Sequence, residues 1–193
     1  MPDTLCAIWN CCDYVNEART EGWSDLSKGN RIKSMYAAVQ DAVIQAATIQ
    51  GGNVDELWFF LGPEYAYGRS AISQSTLLKL RSAWEEISRR FPNLLLVPGT
   101  ALVEYPGSKA TNMCMIFHGG SCISAFSKKN PVGETALNQD LTYMSGAGQA
   151  TVNLSGNDIG FQICKDAQVQ DLLTGNIDIQ VITAAGMDHS KSQ

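Results

Sequence analysis

Three stretches of the chain each carry a chemically useful side chain to the end of an apolar run. Ile159-Gly160-Phe161-Gln162-Ile163-Cys164-Lys165-Asp166 delivers a thiol, Trp58-Phe59-Phe60-Leu61-Gly62-Pro63-Glu64 a carboxylate, and Phe126-Ser127-Lys128-Lys129-Asn130-Pro131 two amines. Cleavage of an amide or nitrile by a thiol needs an activated nucleophile, a group that shuttles the proton, and positive charge where the negative oxygen or nitrogen develops. One Cys, one Glu and one Lys meet those needs, so the expectation is that Cys164, Glu64 and a lysine converge.

Each residue also has a plainer reading. Cys164 lies where a strand gives way to a short helix, whose N-terminus lowers a thiol pKa and offers N–H groups to an oxyanion; an arbitrary cysteine is otherwise a small buried hydrophobe. Asp166 reads on its own as a helix N-cap. Glu64, flanked by Tyr65 and Tyr67, is expected at a partly desolvated rim, where a carboxyl pKa rises toward proton-transfer range; alone it is an ordinary loop acid. The two lysines are separated by pleat. Ile123, Ala125, Ser127 and Lys129 share one face of an extended strand and Cys122, Ser124, Phe126 and Lys128 the other, so at most one lysine points at the thiol.

The elements that must position these groups alternate early and form hairpins late. Leu5 to Asn10 reads as a strand, followed by an irregular polar connection to Asn30. From Arg31, the positions Ile32, Met35, Tyr36, Val39, Val43 and Ala46 repeat on one side of a helix that Gly51-Gly52-Asn53 ends. The strand Leu57 to Leu61 has no polar alternation, as in a strand covered on both faces. A second helix carries Leu77, Leu80, Trp84, Ile87 and Phe91 on one side and a solvated charged face with Arg81, Glu85, Glu86, Arg89 and Arg90 on the other. Leu94 to Val97 is a third buried strand. Hairpins follow at Met113 to Phe126 and Thr151 to Cys164, separated by a long polar loop from Asn130 to Gly148; a short helix from Ala167 to Leu173 and a strand from Ile177 to Thr183 complete a mixed-sheet α/β pattern.

Composition sets the outer limits. The chain has 193 residues, 45% hydrophobic and 17% charged, which fits one domain over residues 1–193 with a substantial core. A formal charge of -5, with no dense Lys/Arg block, argues against nucleic acid or anionic lipid as partner. No apolar run is long enough to span a bilayer. The six cysteines show neither small-domain disulfide spacing nor a Cys-x-x-Cys metal pair, which suggests reduced thiols in a cytoplasmic protein.

Taken together in order, the three stretches resemble the Glu-Lys-Cys signature of the nitrilase superfamily, the carbon–nitrogen hydrolases. Phe59 to Glu64 looks like the strand ending in the family's Pro-Glu, Ser127-Lys128-Lys129 like the one ending in its Arg-Lys, and Gly160 to Asp166 like its Gly-x-x-Ile-Cys-x-Asp. The resemblance implies an αββα sandwich with mixed sheets, here incomplete at the C-terminus, because a full family domain continues beyond the strand after the cysteine. It implies Cys164 as nucleophile, Glu64 as general base and then acid, and Lys129, rather than Lys128, as the stabilising cation together with the N–H of Lys165. Glu134 matches a second acid that orients substrate or lysine. Lys165 and Tyr65 are candidates for shaping the pocket, and Asp166 for supporting it. No metal or organic cofactor is implied. The partners implied are a small amide, carbamoyl amine or nitrile as substrate and further copies of the chain in a homodimer or larger assembly. Two departures stand out: Ser127 occupies a place where an aromatic often precedes the basic pair, and Lys165 a place where one often follows the nucleophile.

Two other readings compete. A Cys–His hydrolase would pair Cys164 with His118 or His189, both in exposed-looking positions. A shortened hydrolase fold that keeps the triad but lacks a closed pocket would be an inactive binding or interaction module.

Overall fold

The uninterrupted apolar runs become the central strands of the larger of two sheets. A computed structural model describes residues 5–9, 28–49, 57–67, 70–132, 140–168 and 176–184. Strand β1 (Cys6–Ile8), helix α1 (Lys28–Ile49) and strand β2 (Trp58–Leu61) form a βαβ unit with β1 parallel to β2. Helix α2 (Gln74–Arg90) leads to β3 (Leu94–Val97), parallel to β2. Ser73 caps α2 by accepting the Thr76 N–H at 3.2 Å, and the helix's charged face carries the pairs Arg81–Glu85 and Arg90–Glu86.

The next strands are antiparallel. β4 (Thr100–Tyr105) and β6 (Ser121–Ser127) lie on opposite sides of the long β5 (Lys109–His118), and β7 (Thr142–Tyr143) runs parallel to its start. The larger sheet thus has the order β1-β2-β3-β5-β4, with β6 and β7 added on the free side of β5. A three-stranded sheet, β10-β9-β8, is formed by β8 (Gln149–Leu154), β9 (Asn157–Ile163) and β10 (Ile179–Thr183). Between β9 and β10 the described residues include a four-residue helix, α3 (Lys165–Gln168).

Side-chain alternation along β2 and β3 separates two cores. Trp58, Phe60, Leu94 and Leu96 pack under Met35 and Val39 of α1 and Leu77, Leu80, Trp84 and Ile87 of α2. Phe59, Leu95 and Val97 face the other way, onto Ile159, Phe161, Ile163 and Val181 of the smaller sheet. Helices, sheet and sheet are therefore successive layers, and a residue's position in the pleat decides which gap its side chain enters.

The structure departs from the sequence reading in two places. The run after Pro98-Gly99 is strand β4, and Thr142–Tyr143 inside the long polar loop pairs with Lys109 and Ala110. The expected extension of the last helix to Leu173 and most of the connection from Asn10 to Asn30 lie outside the described residues.

The ends of β2 and β3 approach too closely for side chains. Gly62 donates to the Val97 carbonyl at 2.7 Å, and a Cβ on Gly62 would lie 2.6 Å from the Pro98 carbonyl. At Gly99, φ is +90° and a Cβ would lie 2.2 Å from the Pro63 oxygen. Gly107 also has positive φ, +80°, but nothing lies within 4 Å of its added Cβ. Gly107→Ala should therefore cost only the left-handed penalty of about 1–2 kcal/mol. Gly99→Ala should cost clearly more, because the Pro63 backbone must also move; equal urea midpoints for the two variants would refute that difference.

Candidate active site

Glu64 stands just beyond the β2 terminus that these glycines compress. Its side chain is 2% exposed, so the expected rim position is in fact an interior one. Oε1 accepts from Lys128 Nζ at 2.8 Å and from Asn112 Nδ2 at 3.0 Å. Glu64 N–H points to the Ala184 carbonyl at 3.4 Å, and Tyr65 N–H donates to Thr100 Oγ1 at 2.9 Å.

The lysine beside Glu64 is Lys128, not Lys129. A bulge between Ile116 and Phe117 shifts the β5–β6 register. Cys122 opposite Phe117 packs on the helix side, whereas Phe126 opposite Cys114 packs between the sheets. Lys128, two residues beyond Phe126, continues on that inner face and is 1% exposed. Lys129 falls on the other face and is exposed; its backbone N–H donates to Asp166 Oδ2 at 2.9 Å. With Lys128 in the lysine's place, Phe126 stands where an aromatic was expected, and Ser127 stands where the resemblance has a basic residue. Phe126 was the available signal: in the lower half of β6 it is the large apolar side chain, and it shares a face with Lys128.

Cys164 directly follows β9 of the smaller sheet and is half-buried. Its N–H donates to the Thr183 carbonyl at 3.0 Å, one residue before the Ala184 carbonyl that receives Glu64 N–H. Consecutive peptides at the end of β10 thus receive the backbones of both residues, although the two belong to different sheets. Among the described residues, four that are not glycine have positive φ. Ser108 and Ser155 are in hairpin turns; the other two are Tyr65, at 57°, and Cys164, at 43°. Backbone strain is therefore concentrated beside the candidate base and at the candidate nucleophile.

Asp166 is fully buried and is more than a helix cap. Its carboxylate accepts from the N–H groups of Lys129 and Asn130 and from Asn130 Nδ2, at 2.9, 2.8 and 3.0 Å. The turn after Cys164 is thereby fastened to the segment after Lys128. Lys165 is half-buried at the start of α3, Tyr65 is buried beside Glu64, and Glu134 lies outside the described residues. Asn112 was not foreseen, although a polar residue on the face shared by Cys114 and Ile116 was a usable sign.

Other thiols and the histidine have different surroundings. Burial pushes Cys114 up to about 12 and raises Cys6 and Cys122 as well. His118 is at the far end of β5, about 20 Å along the strand from Asn112, with Nδ1 3.2 Å from the Leu94 carbonyl. A pairing of His118 with Cys164 is not formed, and His189 lies outside the described residues. Among the described residues no three His, Cys, Asp or Glu side chains are grouped to hold a metal ion, and no helix is long and apolar enough to cross a membrane.

No protein-family model and no curated protein sequence matches this chain. Solved structures do. A mutant of the Nesterenkonia AN1 amidase, from the nitrilase superfamily, superimposes with a TM-score of 0.62 at 11% identity, covering 86% of this chain and 63% of the amidase. A double mutant of the same amidase in complex with acrylamide gives 0.60 at 13%, covering 81% and 61%. This chain has the nitrilase-superfamily fold. Its facing sheets and helical layer follow the αββα sandwich, and it spans about three fifths of the length of those amidase chains. At this identity the likeness is one of fold.

The buried pair makes a prediction about stability. Lys128→Met leaves Glu64 as an uncompensated buried charge and should cost about 3–5 kcal/mol, whereas Lys129→Met, at an exposed site whose backbone bond is kept, should stay within about 0.5 kcal/mol. Chemical denaturation of both variants checks this, and similar losses would contradict the assignment of Lys128.

Proposed function

We propose that this chain is a thiol-dependent hydrolase of non-peptide carbon–nitrogen bonds, working through Glu64, Lys128 and Cys164. The observation that carries the proposal is the buried Glu64–Lys128 pair, which lies on the inter-sheet face while the Glu64 and Cys164 backbones meet at the end of β10. A small amide is the preferred substrate class. Structures of the Nesterenkonia amidase hold acrylamide or butyramide, and in one of them acrylamide has undergone Michael addition at the active-site cysteine.

In this mechanism the Glu64 carboxylate takes the thiol proton as Cys164 Sγ bonds to the amide carbon. The carbonyl π electrons move to oxygen, and that oxyanion is held by the Lys128 ammonium and the Lys165 N–H. Collapse re-forms the carbonyl and breaks the C–N bond, with Glu64 returning its proton to the leaving nitrogen. Water then attacks the thioester while Glu64 takes its proton; the acid departs, and that proton restores the thiol. The buried ion pair keeps the carboxylate ionised for the first step and keeps positive charge near the developing oxyanion without solvent reorganisation.

The test combines labelling with turnover. At neutral pH, iodoacetamide should modify Cys164 faster than Cys6, Cys114 and Cys122, because those raised thiols hold little thiolate there. On a panel of small ω-amides, carbamoyl amines and nitriles, Cys164→Ala should abolish turnover. Lys128→Ala should lower kcat/KM by about 100-fold or more, with Lys129→Ala close to wild type. Equal rates for wild type and Cys164→Ala would remove the nucleophile and favour the binding-module reading.

A further inference from the structure

The geometry points to Asn112 as a positioning residue that holds Glu64 ionised and fixes Lys128 against it; this rests on the reading of Glu64 as the base. Asn112 is fully buried on β5 and shares the inter-sheet face with Cys114 and Ile116. It is bonded to both members of the pair. Its backbone carbonyl accepts Lys128 N–H at 2.9 Å, and its side-chain Nδ2 donates to Glu64 Oε1 at 3.0 Å. Oε1 is the oxygen that also accepts from Lys128 Nζ. An ionised carboxylate can only accept, so the carboxamide must present its nitrogen to Glu64. A donor aimed at the charged form of a buried acid favours that form.

Neighbouring elements bring other titratable groups to this end of the fold. The segment after β6 supplies Lys128 inward and Lys129 outward, the turn after β9 supplies Cys164, Lys165 and Asp166, and Tyr65 follows Glu64. Asp166 is held by Lys129 and Asn130, and the contact from β5 to the Glu64 carboxylate is the neutral Asn112. Replacing that amide by an apolar group therefore removes the donor without altering the neighbouring charges, and replacing it by an acid adds one carboxyl directly beside Glu64.

The experiment follows the rate of Cys164 alkylation by iodoacetamide against pH, which needs no substrate. Asn112→Asp, the same size, places a second carboxyl beside Glu64 and should move the acidic midpoint upward by about one pH unit or more. Asn112→Leu, which removes the donor, should move it the same way by less. Should Asn112→Leu fail to fold, Asn112→Asp carries the test alone, and a thermal melt shows that it is folded. Folded Asn112 variants with the wild-type midpoint would overturn the inference. Glu64→Gln separates this from the underlying reading: if it leaves the wild-type profile unchanged, Glu64 is not the base and both fall. If it abolishes the acidic limb while the Asn112 variants do not shift it, the inference about Asn112 falls by itself.

Discussion

The ion pair between Lys128 and Glu64 is the constraint around which the rest is arranged. Two strands, β3 and β5, separate β2 from β6 in the sheet, yet the two side chains meet in the interior. That requires the close crossing at Gly62 and Gly99, which turns Glu64 across the strand ends, and a pleat that brings Lys128 inward. Burying two opposite charges contributes little to stability in general, since desolvation offsets the attraction and an apolar pair of equal volume is often no worse. The pair therefore calls for a chemical explanation. A carboxylate and an ammonium lie in contact, both dehydrated, and the Glu64 backbone meets that of Cys164 at the end of β10.

Strain and hydrogen bonding complete that arrangement. Left-handed backbone at Tyr65 and Cys164 persists because the surrounding bonds over-determine it: the N–H of Tyr65 goes to Thr100, and that of Cys164 to Thr183. One partner is the Thr100 hydroxyl and the other the Thr183 carbonyl, each on a neighbouring strand. The backbones of Glu64 and Cys164 are thus set at strand ends, both N–H groups pointing to carbonyls at the end of β10.

Much of the fold was legible in the sequence because its signals were local. Uniformly apolar runs marked β2 and β3, and the 3.6-residue repeat marked α1 and α2. β4 was not recognised because its punctuation, Pro98-Gly99, looks like the beginning of a loop, whereas Gly99 there serves a close backbone crossing. The choice between the lysines failed for a different reason. Pleat alone divides them correctly but does not say which face is inside. Phe126 decides it, once its packing on the inter-sheet core is seen. The bulge that places Cys122 on the opposite side from Phe126 is a register event with no mark in the sequence of β6 alone.

Asp166 shows how far a residue's local reading can understate it. Its position two residues after Cys164 and at the start of a helix suggests capping, a contact within its own turn. In the structure the carboxylate reaches across to the segment after β6 and takes three donors from Lys129 and Asn130. The peptide units of Lys128 are held from other directions too: its N–H by Asn112, and its carbonyl by Gly146 N–H and the Tyr143 hydroxyl. With both backbone groups of Lys128 engaged and the next two N–H groups fixed to the turn after Cys164, the backbone there cannot shift relative to that turn without breaking several hydrogen bonds at once. That coupling ties the backbone at Lys128 to the turn after Cys164 as part of the fold.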